Sequence, residues 1–206
     1  MRPPQDWRTA RATLAIGAIT AAAWVVAVVF RLEPYAYQAG GFIPARHDGL
    51  SLALTPLTAT LLHGGFVHLF FNLLFLMLCG RAVEAIVGAR GLILLYVLGA
   101  YAAAAAQWVS DPGSGTPMVG ASGAISALVG AYALLFGRNR TKIAHPTLAM
   151  LVHALWLAAA FIGIQLLIGY AVNMPSGGIA IAAHIGGFLI GLLLARPLLL
   201  LRWRGA

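Results

Sequence analysis

The chain has 206 residues, of which 61% are hydrophobic and only 9% charged. That balance excludes a soluble domain, which covers its surface with charge, and predicts a chain immersed in lipid. The formal charge of +8 does not point to nucleic acid, because the basic residues sit in short segments between apolar runs and not clustered on one face. The single cysteine, Cys79, has no intrachain disulfide partner and reads as a small packed hydrophobe.

In chain order, a polar tail over 1–11 leads into an apolar run with no small-residue cleavage site behind it, so that run is expected to stay as a first span. Stretches long enough to cross a hydrocarbon core of about 30 Å lie near 12–30, 57–79, 91–109, 119–137, 147–171 and 178–201. The regular part of the second starts near Phe66, after His63-Gly64-Gly65, and the fourth is short. The expected fold is therefore all-α: a six-helix membrane bundle forming one domain over 1–206, with a core over 12–201, a tail over 202–206, and no internal repeat.

Arg2, Arg8, Arg11, Arg81, Arg90, Arg138, Arg140, Lys142, Arg196, Arg202 and Arg204 fall on one side of this arrangement, against Arg31 and Arg46 on the other. An excess of Lys and Arg marks the cytoplasmic face, so both termini are expected there. The segments 31–65, 110–118 and 172–177 then face outward. The first is too long for a simple connector and is a candidate functional loop. Richness in Ala, Gly and Arg with short tails suits a bacterial plasma membrane.

Polar groups at membrane depth are costly unless satisfied, which makes each of them a functional hypothesis. His68 and Asn72 are four apart on one face of the second span. Ser122 opens the fourth span between Gly120 and Gly123, where glycines permit a sharp entry into the helix. His184 lies in the sixth span, with Gly187 and Gly191 on its face. The glycine face invites close packing against the small-residue row Ser122, Ser126 and Gly130, which would bring Ser122 to His184 as nucleophile and base. Taken singly, each of these features is equally explained by interhelical packing and hydrogen bonding. Their combination in three spans favours chemistry. His153, Gln165 and Tyr170 have no such company and read as packing or interface residues, while His47 and His145 read as solvated loop residues.

The segments His63-Gly-Gly-Phe-Val-His68-Leu-Phe-Phe-Asn72, Gly120-Ala-Ser-Gly123 and Ala183-His184 with Gly187 and Gly191 resemble the rhomboid family of intramembrane serine proteases. Order and topology agree over about residues 12–195, and Gly80-Arg-Ala-Val-Glu84-Ala-Ile-Val-Gly88 looks like the family's turn into the third helix. The resemblance implies that Ser122 is the nucleophile and His184 the general base, with His68, Asn72 and the Ser122 backbone N–H as the oxyanion hole. It implies cleavage of transmembrane protein substrates within the lipid bilayer, without metal or cofactor, at a site open to the extracytoplasmic side. It makes 31–65 an embedded first loop, assigns gating to the fifth span and the 171–178 loop, and makes Glu84 structural, bonding loop groups near the membrane surface.

Two departures stand out. Leu54-Thr55 replaces a Trp-Arg pair common in the family's first loop, and Ser126 stands where an aromatic ring usually packs on the catalytic histidine. Two other readings remain beside the protease. An inert client-binding relative would lack one dyad residue, and a small transporter would carry repeats, interrupted helix pairs or intramembrane carboxylates.

Overall fold

A computed structural model describes residues 7, 10–46, 48–137, 143–172 and 180–203, with side chains of 168–172 left aside. The described residues form helices α1 (Arg11–Val29), α2 (Glu33–Gly40), α3 (Gly49–Thr58), α4 (Phe66–Phe75), α5 (Arg81–Ser110), α6 (Ser122–Phe136), α7 (Pro146–Val172) and α8 (Ile181–Arg202). Among the described residues, four helical stretches are long and apolar enough to cross a membrane: Arg11–Val29, Phe66–Ser110, Pro146–Leu167 and Ile181–Arg202. The protein is thus an all-helical membrane protein.

The 45-residue stretch Phe66–Ser110 is not one rod. A π-helical segment over Leu76–Gly80 joins α4 to α5, and Gly88 breaks α5 with φ 78° and ψ 168°, a backbone region that glycine enters without strain. The far end of α8 closes over this break. A Cβ on Gly88 would overlap the Arg202 guanidinium, whose Nη1 donates to the Glu84 carbonyl at 3.4 Å, and Trp203 Nε1 donates to the Ile86 carbonyl at 3.3 Å.

The core lies where α5, α6 and α8 meet, around Leu92, Leu95, Ile125, Leu128 and Leu198. Without a hydrophobic drive between helices in lipid, close packing must come from small residues. A Cβ on Gly187 would run into the Gly123 carbonyl, one on Gly191 into the Ala127 carbonyl, and one on Gly130 into the Phe188 carbonyl. The two small-residue faces therefore meet as expected. Gly123 and Ala127, one position round from Ser122 and Ser126, make the backbone contact, and Ser126 packs its Cβ on Gly187.

Glu84 is structural, but its partner differs from the expected loop. Its carboxylate is 1% exposed and accepts from Ala12 N and Thr13 N at 2.8 Å each and from Thr13 Oγ1 at 2.7 Å. These are first-turn donors of α1, which have no partner four residues back. The carboxylate also opposes the positive end of the α1 dipole. Cys79 is buried as a free thiol.

The 31–65 segment is structured, holding α2, α3 and a 3-10 turn over Ala59–Leu61. Its anchoring without the Trp-Arg pair is visible. Phe42 and Met118 exchange backbone hydrogen bonds at 3.0 and 2.8 Å, and Ala45 N donates to the Ser114 carbonyl at 3.0 Å, so the segment is stitched to the 111–120 loop. Tyr101 Oη donates to the Ala53 carbonyl at 2.5 Å, Tyr37 Oη to the His63 carbonyl at 2.8 Å, and Thr58 Oγ1 to the Gly40 carbonyl at 2.7 Å. Thr55 turns its hydroxyl back to the Ser51 carbonyl at 2.6 Å and anchors nothing outside α3.

The expected gate residues 173–178, His47, the tails, and the 138–142 segment with its three cations lie outside the described residues.

Candidate active site

Ser122 is the first residue of α6, after Ala121 at the N-cap position. The approach to it is held from three sides. Gly120 N donates to the Ala59 carbonyl at 2.9 Å, and Ala121 N donates to His63 Nε2 at 3.5 Å. Gly120 itself has φ +118°, and a Cβ there would lie 2.6 Å from both Cε1 and Nε2 of His68 and 3.7 Å from Ser122 Oγ. Only glycine fits, because the chain passes in a left-handed conformation directly against an imidazole edge. His68 and Ser122 consequently face the same side of Gly120.

His184 comes from the second turn of α8. Its Nε2 stands 2.8 Å from Ser122 Oγ, at hydrogen-bond length for an O–H and an imidazole nitrogen. The residues are 62 apart in sequence, and the glycine contacts between α6 and α8 supply the proximity. His184 Nδ1 is engaged as well, with Gln165 Nε2 of α7 at 3.0 Å. Of the two expected readings of Gln165, packing or interface, the second fits, but with a partner in the candidate site that was not expected. The signal was present in the sequence, since an amide in mid-span needs a partner. That partner lies on another helix, 19 residues on, where helical spacing does not reveal it.

Ser126 does not touch the imidazole through a hydrogen bond. Its hydroxyl donates to the Ser122 carbonyl at 2.8 Å, one turn back along α6. Asn72 donates through Nδ2 to the His68 carbonyl at 2.9 Å, which uses one of two amide hydrogens and leaves the second. His63 is a second residue that the sequence reading passed over. It is 1% exposed, stands edge-on to the His68 ring at 5.0 Å between centroids, and joins the α4 approach to the Ala121 amide. His153 remains a packing residue, its Nε2 buried without a partner among the described residues. His145 is exposed, and its Nδ1 accepts from Leu148 N at 3.4 Å at the start of α7.

Chemically, a hydroxyl at a helix N-terminus, an imidazole in contact with it, and amide and imidazole donors nearby are the parts required for acyl transfer. No group of three or more His, Cys, Asp or Glu side chains able to hold a metal ion occurs among the described residues.

Residues 53–201 match the Rhomboid domain, and the chain belongs to the rhomboid family. It is 32% identical over 137 residues to Rhomboid protease GlpG of Pectobacterium atrosepticum, an alignment covering 66% of this chain and 45% of that protein. It is 32% identical over 139 residues to RHOMBOID-like protein 5 of Arabidopsis thaliana, covering 68% and 42%. Against Rhomboid protease GluP of Bacillus subtilis it is 33% identical over 143 residues, covering 69% and 25%. The alignments thus span less than half the length of these curated relatives.

Proposed function

We propose that this chain is an intramembrane serine endopeptidase that cleaves transmembrane segments of other membrane proteins, with Ser122 as nucleophile and His184 as general base. The observation that carries the reading is the 2.8 Å contact between His184 Nε2 and Ser122 Oγ, made between two helices whose glycine faces touch. Ser122 Oγ attacks the scissile carbonyl carbon as its proton passes to His184 Nε2. The carbonyl oxygen becomes an oxyanion, stabilised by His68, the spare Asn72 amide hydrogen and the Ser122 backbone N–H, each worth about 3 kcal/mol in the transition state. Collapse breaks the C–N bond and the leaving amine takes the proton from His184; water then gives a proton to His184 as it attacks the acyl carbon, the bond from that carbon to Ser122 Oγ breaks, and His184 returns the proton to Oγ as the acid leaves. Every proton in this cycle moves on the chain's own residues, and no metal or cofactor enters the proposal.

The same reading takes the chain as one rhomboid-like domain crossing the bilayer six times. The Gly88 break divides Phe66–Ser110 into two lengths of about 22 residues, each about 33 Å long and sufficient for the hydrocarbon core. The 15 residues of α6 reach only about 22 Å, which sets Ser122 below the membrane surface. The charge asymmetry puts both termini in the cytoplasm and opens the site to the extracytoplasmic side of a bacterial plasma membrane.

The deciding experiment compares wild type, Ser122→Ala and His184→Ala in liposomes, on a panel of transmembrane substrates and with a fluorophosphonate probe. Cleavage and labelling are expected for the wild type and for neither variant. Equal labelling of wild type and Ser122→Ala refutes the assignment.

A further inference from the structure

Gln165 has neighbours Ile164, Leu166 and Leu167 that are 55–66% exposed, yet it is itself only 8% exposed. An amide at this depth has to be satisfied within the protein, and its partner is His184 Nδ1 at 3.0 Å. The imidazole is therefore held at both nitrogens, by Gln165 on one side and Ser122 on the other. The contact is set by helix register. Phe161, one turn before Gln165, stacks on Phe188, one turn after His184, with centroids 4.0 Å apart and planes within 7°. The two contacts are four residues apart on each of two antiparallel helices. The ring stack thus fixes the rotation of α7 that turns Gln165 inward.

We propose that Gln165 is the positioning residue of His184, selecting the ring tautomer able to act as base and doing so from α7. The proposal rests on the reading of Ser122 and His184 as a dyad. To take the serine proton, Nε2 must be bare and Nδ1 must carry the hydrogen, which needs an acceptor. A glutamine amide presents either oxygen or nitrogen by rotation about its last bond. With Oε1 toward the ring, Nδ1–H is held and Nε2 is free to accept. With Nε2 toward the ring, as the amide stands at 3.0 Å here, it donates to a bare Nδ1 and the imidazole hydrogen sits on Nε2 pointing at Ser122, so the base-competent state is reached by a half-turn of the amide that exchanges Nε2 for Oε1 in the same place. A neutral acceptor does this without placing a net charge in the bilayer. It also fills the role that a ring at position 126 would otherwise have, since Ser126 bonds along its own helix.

The test uses the full chain in liposomes, with Gln165→Met to keep the volume and Gln165→Glu to keep an acceptor oxygen. Two quantities are read: kcat and KM on a transmembrane substrate, and the 15N shifts of the His184 ring, assigned by their absence in His184→Ala. Loss of a group that orients a histidine typically costs 10- to 100-fold. We expect kcat to fall by about that factor in Gln165→Met with KM within about twofold, kcat within about fivefold of wild type in Gln165→Glu, and the ring to move from Nδ1-protonated to a tautomer mixture in the methionine variant alone. Wild-type kcat in Gln165→Met, a fall carried by KM, or an unchanged tautomer overturns the proposal. The ring measurement needs no substrate. An inert wild type therefore sinks the protease reading, while the tautomer comparison still decides the Gln165 assignment.

Discussion

Replacing Glu84 by glutamine is expected to destabilise the protein by several kcal/mol, although the two side chains have nearly the same shape. The carboxylate receives three hydrogen bonds, one on Oε1 from Ala12 N and two on Oε2 from Thr13 N and Thr13 Oγ1, all at 2.7–2.8 Å. A glutamine offers one oxygen. If that oxygen takes the place of Oε2, two bonds survive in neutral form, and the NH2 group faces Ala12 N–H, donor against donor. A hydrogen bond to a charged group contributes about 1.5–3 kcal/mol and a neutral one about 1. One charged bond lost and two weakened therefore amount to about 2.5–7 kcal/mol, with the clash between donors added to that. Alanine removes all three and leaves the first-turn amides of α1 without partners, for about 4.5–9 kcal/mol. Equilibrium unfolding in mixed micelles measures this, with Thr13→Val closing a double-mutant cycle whose coupling to Glu84→Gln is about 1–2 kcal/mol. A Glu84→Gln protein within about 1 kcal/mol of wild type would refute the reasoning.

Gly187→Ala pushes a methyl into the Gly123 carbonyl and is expected to part α6 from α8 by about 1 Å, stretching the 2.8 Å Ser122–His184 contact and lowering cleavage about 100-fold. Cleavage at the wild-type rate by a variant that keeps its melting temperature argues against that geometry. Asp48, at the N-cap of α3, accepts from Ser51 N at 2.8 Å, and this bond holds its carboxyl below the usual value. A depressed value in the folded state means that the cap is present above the ordinary carboxylate range and is lost as pH falls through the lowered one. Hydrogen exchange at the Ser51 amide is therefore expected to lose protection in acid. Asp48→Asn keeps the cap and abolishes the pH dependence, and a Ser51 protection factor that is flat with pH in the wild type contradicts this.

The sequence made the spans legible wherever an apolar run had clear ends. Phe66 and Ser122 start their helices at the expected residues because glycine-rich turns precede them. The gap between the 57–79 and 91–109 runs brackets the Gly88 break, but the apolar criterion does not place it at Gly88, since Arg81–Val87 continues the helix before the backbone turns. At the site, Ser122, His184, His68 and Asn72 were legible because each sits beside a glycine or a helical neighbour with a matching polar group. Gln165 and His63 were not. Their partners, His184 and the Ala121 amide, lie on other elements, and intra-helical periodicity carries no information about them. The first loop was legible as unusual in length but not in its attachment, which runs through backbone groups of Phe42, Ala45 and Ala53 that any residue would present.

The helix that carries His184 follows the other seven described helices in the chain. During synthesis Ser122 emerges some 60 residues before its partner. The seat for Arg202 and Trp203 on Glu84 and Ile86 can be filled only when almost the entire described chain has left the ribosome. Until α8 docks there, Ser122 lacks the His184 imidazole, and the part of α6 that Gly187, Gly191 and Phe188 cover lies open. Under the proposed chemistry a nascent chain is silent toward the proteins sharing its insertion site, and it acquires the Ser122–His184 contact only as α8 docks.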